Sequence, residues 1–176
     1  MKNDETSSTL REARQDFVSQ WGAIGNAWGI NRTMAQIHAL LITSPEPLTT
    51  DEIMAELRIS RGNANTNLRD LVGWGLIRSV LRPGERKEYF VAEKDVWKMF
   101  CIIARERKRR EITPAMEILQ RCRDKTRGLK SREAKDFSDQ IDALQEFLRL
   151  AERILETAAS SEQSKIMKLA AKLFAG

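Results

Sequence analysis

Apolar residues recur along this chain at helical spacing, then briefly at strand spacing, then at helical spacing again. In residues 9–28, Leu10, Ala13, Phe17, Val18, Trp21, Ile24 and Trp28 share one helix face. Gly22, Gly25 and Gly29 weaken that helix and leave room for a close neighbour. Residues 1–8 read as a frayed polar tail. Asn31 is placed to cap a second helix carrying Met34, Ile37, His38, Leu40 and Leu41, which Ser44-Pro45-Glu46-Pro47 ends. Leu48-Thr49 is a candidate short strand.

Residues 50–92 hold the most informative pattern. Thr50 is the expected cap of a short helix with Asp51 and Glu52 in its first turn and Ile53, Met54 and Leu57 inward. Arg58-Ile59-Ser60 then makes a turn, and Ser60 suits the N-cap of the next helix. There Ala64, Leu68, Leu71 and Val72 form the inward stripe. Gly62, Asn63, Thr66, Arg69 and Asp70 occupy the opposite arc, Asn65 and Asn67 its flanks, and Arg61 the tip. Asn and Thr are poor interior helix formers, yet Asn matches the edge of adenine and Arg that of guanine. Gly75 is the expected left-handed cap. Residues 76–81 and 87–92 are rich in β-formers around the turn Arg82-Pro83-Gly84-Glu85-Arg86. Helix, turn, helix and hairpin in that order predict a winged helix-turn-helix. Its candidate contacts with double-stranded DNA are Ser60, Arg61, Asn63, Asn65, Thr66, Asn67 and Arg69 from the second helix, and Arg82, Arg86 and Lys87 from the wing tip.

Beyond the wing, residues 94–111 read as a helix with Val96, Trp97, Phe100, Ile103 and Ala104 inward and the basic run Arg105-Glu106-Arg107-Lys108-Arg109-Arg110 on a solvated face. Thr113-Pro114 reads as N-cap and first-turn proline, restarting or kinking the helix, which continues to about Thr126. Gly128 breaks the chain and Ser131 caps a further helix with a long stripe from Phe137 to Leu155. A last helix after Ser160 or Ser161 would carry Ile166, Met167, Leu169, Ala170, Leu173 and Phe174. These stripes exceed what one small core needs, which predicts a homodimer. The expected organisation is 1–30 for packing and dimerisation, 31–93 for the winged domain, and 94–176 for long dimerising helices. The fold class is mainly α (α+β), with a two- or three-stranded wing sheet.

Charge sharpens this picture. The chain of 176 residues carries a net charge of +5, and residues 58–90 hold seven bases against three acids, net +4. Residues 45–57 hold four acids and no base. Positive charge therefore collects where the second helix and the wing lie, which favours an anionic partner. Two Cys and one His cannot build a zinc cluster. On one straight helix Cys101 and Cys122 would stand about 31 Å apart, too far for a disulfide, which leaves only a sharp reversal near Pro114 or a bond between subunits as routes to a redox switch. No apolar run approaches membrane-spanning length, and the N-terminus lacks a signal-peptide core, so a cytoplasmic location is expected. No nucleophile motif, phosphate loop or acid/base pair points to an enzyme, and no cofactor is expected; GAIGNAWG has the wrong spacing for a nucleotide fingerprint.

The segment DEIMAELRISRGNANTNLRDLVGWGLIRSV, followed by RPGERKEYFVAEKDVWKMF, resembles the GbsR-type branch of the MarR-like transcriptional regulators. The resemblance extends more loosely from about Phe17 to the region of Cys122. It implies a dimeric winged-helix repressor or activator of bacterial or archaeal origin, and the expected homodimer suits an inverted-repeat operator read by paired helices. Some members of that branch respond to choline or related osmolytes. On that ground Trp21, Trp28, Trp97 and Phe100 become candidates for an aromatic pocket holding a quaternary ammonium ligand by cation–π attraction. Ordinary core packing accounts for the same aromatics. The alternative function is a winged-helix protein-docking module, which should expose apolar anchors rather than an Asn-rich arc.

Overall fold

The computed structural model describes residues 2–160, so the last predicted helix lies outside the described residues. The elements are α1 (Lys2–Ala27), α2 (Arg32–Thr43), β1 (Leu48–Thr49), α3 (Thr50–Leu57), α4 (Arg61–Trp74), β2 (Ile77–Leu81), β3 (Glu88–Ala92), α5 (Val96–Arg107), a π-helical turn (Lys108–Ile112), α6 (Thr113–Thr126) and α7 (Arg132–Ser160). The helical backbone of α1 reaches back to Lys2, where a frayed tail was expected. The chain divides between Val96 and Trp97 into two compact units.

In the first unit α2 is the central post, packed by α1, α3, α4 and β3. Its Ile37 and Leu41 meet a core that includes Ile53 of α3 and Leu68 and Leu71 of α4, all fully buried. Burying each such side chain contributes about 1.5–3 kcal/mol. The sheet is antiparallel in the order β1-β3-β2. Phe90 of β3 lies opposite Leu48 of β1 on one side and Ser79 of β2 on the other. The two-residue strand at Leu48-Thr49 therefore exists and ties the start of α3 to the wing.

The face that α1 turns to α2 takes only Val18 from the expected apolar stripe as a fully buried residue. Val18, Gly22 and Gly25 are buried, while Leu10, Trp21, Ile24 and Trp28 stay exposed, Trp28 at 70%. A Cβ on Gly25 would sit 2.6 Å from Ala35 Cβ, and one on Gly22 would sit 2.5 Å from Gln36 Cγ. The helices approach through small residues, and the larger side chains are left on the outside. Gly29, with φ +77, ends the helix in the left-handed region instead.

In the second unit the π turn and α6 pack on α7, with Ile141 and Gln145 buried. Gln145 accepts from Arg123 Nη1 at 3.5 Å and donates to Gln120 Oε1 at 3.4 Å. Ser131 caps α7 through the Ala134 amide, as expected. Thr113 does not cap α6. It is helical itself, and its amide donates to the Lys108 carbonyl, five residues back. Pro114 explains the wide turn: it has no N–H, and its ring would strike the Arg110 carbonyl in a regular α-helix. The helix widens here without restarting. Cys101 is buried and Cys122 half-buried, both as free thiols.

Two predictions follow from packing. Gly25→Ala gains about 1 kcal/mol of helix propensity but meets a fixed methyl, an overpacking cost of about 1–3 kcal/mol. It should lower the unfolding midpoint, whereas Gly22→Ala meets Gln36 Cγ, which a change of rotamer can move where the Ala35 methyl cannot, and should lower it less; equal effects would refute the fixed-contact account. His38 is buried, its Nε2 has no hydrogen-bond partner, and burial pushes its pKa down to about 4. Between pH 6.5 and about 4 the unfolded chain therefore binds more protons, so acidification through that window should cost up to about 3 kcal/mol. Urea unfolding at stepped pH should show a shallower loss in His38→Leu; identical pH dependence would acquit His38.

Candidate nucleic-acid interface

Helix α3 starts one residue earlier in its capping than the sequence reading had it. Thr49, not Thr50, is the N-cap: its Oγ1 accepts from the Glu52 amide at 3.3 Å, and Glu52 Oε2 accepts from the Thr49 amide at 2.7 Å. Those bonds from Thr49 hold the Glu52 carboxyl below its ordinary pKa, with Lys87 and Arg82 adding a smaller pull. This reciprocal box fixes the entry to the helix pair. Arg58, at φ 53, makes the left-handed turn out of α3, and Ser60 caps α4 by accepting from the Asn63 amide at 3.3 Å. Gly75 closes α4 at φ 78, its amide donating to the carbonyls of Leu71 and Val72.

Of the expected contact residues on α4, Ser60, Arg61, Asn63, Asn65, Thr66 and Arg69 are exposed. Asn67 is not. It is 3% exposed, and its Nδ2 donates to the Asn63 carbonyl at 2.8 Å and to Asn63 Oδ1 at 2.7 Å. The helical spacing explains this, since residue 67 lies three after Ala64 and four before Leu71, inside the buried stripe. Asn67 is therefore corrected from a flank residue to an inward one. Asn63 is tied on its other side as well, its Nδ2 donating to Thr33 Oγ1 of α2 at 3.4 Å. Arg61 pairs with Asp51 of α3, both partners more than half exposed.

The wing forms as predicted, from Ile77 paired with Ala92 to Leu81 paired with Glu88. Gly84, at φ 81, allows the turn, and the Glu85 amide donates to the Arg82 carbonyl at 3.1 Å. Arg86 and Lys87 project exposed from it. Arg82 is placed otherwise. Its guanidinium lies 4.4 Å from the Tyr89 ring centroid and 3.6 Å from Glu46 in the loop before β1. Tyr89 donates its hydroxyl to Glu85, a bond that raises the phenol's pKa. Arg82 is thus a clamp between wing and body at least as much as a free cation. Sequence reading missed Thr33, Glu46, Asp51 and Tyr89 as partners; the acid-rich segment 45–57 beside the basic wing was the available signal.

The basic run in and after α5 is largely matched by acids. Arg107 pairs with Glu111, Lys108 with Glu152 and Glu156 of α7, and Arg109 and Arg110 with Glu106. It makes a poor second phosphate surface. The four aromatic candidates fall in different units: Trp21, half-exposed and 5.4 Å from Phe17, and Trp28 in the first, Trp97 and Phe100, with ring centroids 5.3 Å apart, in the second.

Two capped helices at a tight turn, the second with a polar outer arc, and a basic hairpin behind them define a winged helix-turn-helix of the DNA-binding class. Residues 28–88 match the model of the MarR family. Over 98% of its length the chain is 23% identical to all of the HTH-type transcriptional repressor GbsR of Bacillus subtilis (strain 168). Over 43% of this chain and 46% of the relative it is 30% identical to the HTH-type transcriptional regulator MmpR5 of Mycobacterium tuberculosis (strain ATCC 25618 / H37Rv). A crystal structure of a transcriptional regulator shares the fold, with a TM-score of 0.62 at 23% identity over 84% of this chain and 95% of that one. These findings support a GbsR-type, MarR-like transcriptional regulator, a class that binds DNA and is not enzymatic. Among the described residues no helix is long and apolar enough to cross a membrane.

If Arg82 clamps the wing, Arg82→Ala should raise hydrogen exchange across β2 and β3 by the equivalent of about 0.5–1 kcal/mol. Unchanged protection in the hairpin would leave Arg82 as an ordinary surface cation.

Proposed function

We infer that the chain is a sequence-specific repressor that acts in the cytoplasm as a homodimer on an inverted-repeat operator. The observation that carries this reading is the outer face of α4, where Asn65, Thr66 and Arg69 stand exposed opposite the buried Ala64, Leu68 and Leu71; Val72, expected inward, is 41% exposed. Asn and Arg at such positions suit the major-groove edges of adenine and guanine. Arg86 and Lys87 of the same unit supply sequence-independent grip on phosphate. A docking module would need apolar anchors on that arc, and Gly62, Asn63, Thr66, Arg69 and Asp70 provide none.

The homodimer is supported by apolar residues that α7 leaves in solvent: Phe137, Leu144, Phe147, Leu150 and Ile154, with Phe147 at 66% exposure. A two-fold pair would present two copies of α4 about 34 Å apart, one turn of duplex. The aromatic pairs Phe17–Trp21 and Trp97–Phe100 are seats of the right chemistry for a quaternary ammonium effector. Such a ligand would act by preferring one of two spacings of the recognition helices.

The test is binding to duplex fragments, beginning with the region upstream of the chain's own gene, at several salt concentrations. Selection of a fragment containing an inverted repeat is the expected result; binding without selection would reduce the protein to a basic surface. Arg69→Ala should lower discrimination between the selected and a scrambled duplex by about 1–3 kcal/mol, and Arg86→Ala with Lys87→Ala should weaken both alike and reduce the salt slope by about 2.

A further inference from the structure

Asn67 occupies a position in α4 that packing alone would assign to Leu. It lies in the stripe of Ala64, Leu68 and Leu71 and is as buried as they are. Among the described residues it is one of five buried polar or charged side chains, with His38, Ser44, Thr49 and Gln145. A polar group in a core position is retained at a cost unless its bonds achieve something. Here both donor bonds of Nδ2 go to one residue, Asn63, at its carbonyl and at its side-chain Oδ1.

Asn63 is thereby held from two directions: Asn67 donates to Oδ1, and Nδ2 donates to Thr33 Oγ1 on α2. Each of those atoms has capacity for two bonds, so one lone pair on Oδ1 and one hydrogen on Nδ2 remain. An acceptor and a donor on one planar amide are what a bidentate contact with adenine N6 and N7 requires. An unrestrained exposed Asn would have to be ordered as it binds, at an entropic cost. Asn63 is ordered beforehand: the Asn67 donor fixes the flip of its amide, and Thr33 holds the other end.

We propose that Asn67 is a buried positioning residue for specificity: it pre-orients Asn63 for reading a base edge and contacts no DNA itself. This rests on the DNA-reading assignment of α4 given above. It divides the three Asn of the helix into one that reads from a fixed amide, one that fixes it, and Asn65, which is exposed.

The experiment compares wild type, Asn67→Leu, Asn63→Ala and the double variant for binding to the fragment the wild type selects and to a scrambled duplex. Asn67→Leu should fold with an unfolding midpoint at or above wild type and bind scrambled DNA equally well. Its preference for the selected fragment should fall about three- to tenfold, the scale of one side chain's ordering cost. In the double variant the loss should be no greater than in Asn63→Ala alone. Undiminished preference in Asn67→Leu, or a loss that adds fully to that of Asn63→Ala, would overturn the proposal. Side-chain amide relaxation of the free wild type and the free Asn67→Leu variant reads the same pinning without DNA. The Asn63 NH2 group should be more mobile in Asn67→Leu than in wild type, and equal mobility would also overturn the proposal. A wild type that selects no fragment would defeat the regulator reading, while the relaxation result would still report whether Asn67 holds Asn63.

Discussion

The contact on which the first unit depends is the burial of α4's inward stripe against α2. Ala64, Leu68 and Leu71 are buried in the core that includes Ile37 and Leu41 of α2. The helix has little else to hold it, because its outer half is built from Asn, Thr, Gly and Arg, whose helix propensities are mostly poor. A 14-residue segment of that composition would be marginal alone. Tertiary burial relieves the outer arc of any part in folding, and that is the condition for filling it with side chains chosen for a partner. The wing inherits its position from the same contact, since β2 begins three residues after α4 ends, at Gly75-Leu76.

Electrostatics then sorts the cations that composition had lumped together. The acidic segment ahead of α4 is a set of partners for the basic one: Asp51 takes Arg61, and Glu46 takes Arg82. Exposed pairs of this kind are worth about 0–1 kcal/mol, so Arg61 can trade Asp51 for a phosphate at small cost. Arg82 is held more firmly because the Tyr89 ring lies under it as well. The run after Trp97 looked the most basic of all in sequence, yet Glu106, Glu111, Glu152 and Glu156 occupy four of its cations. Net charge located the interface only to within a segment; which cation is engaged depends on residues up to 48 positions away.

Much of the fold was legible where the deciding chemistry is local. Asn31, Ser60, Gly75 and Ser131 punctuate helices as their side chains or their missing Cβ dictate. The strand pair of the wing follows from β-branched and aromatic residues around Pro83-Gly84. Thr49 and Thr50 were confused although the spacing Thr-x-x-Glu from 49 to 52 marks the reciprocal box. The face of α1 was misjudged for a deeper reason. Apolar periodicity finds the stripe with the most hydrophobic area, and the glycines were read as room for a neighbour. But α2 packs on the line of Val18, Gly22 and Gly25, where backbones come closest, and leaves the large members of the stripe outside. Asn67 was placed on the flank of the outer arc by its helical angle, and that flank is the one that packs inward, between Ala64 and Leu71. Periodicity outweighs polarity when a polar side chain has a partner four residues away, and Asn63 is that partner.

The stripe that α1 leaves exposed and the one that α7 leaves exposed bear on the assembly in the same way. Trp28 and Phe147 are each about two-thirds or more in solvent, although aromatic residues of that size carry 150–250 Å² of area whose burial is strongly favourable. Scattered apolar side chains need no explanation, but residues at 137, 144, 147 and 154 repeat at alternating intervals of seven, three and seven along one helix. That is the seam of a helix facing another helix. Among the described residues, the inner face of α7 holds Ile141 and Gln145 against α6 and the π turn, and the outer seam lies on the other side of the helix. In the homodimer proposed above, this seam is where a second copy would pack, and the two-fold that relates the copies is what would present a second α4 to the duplex.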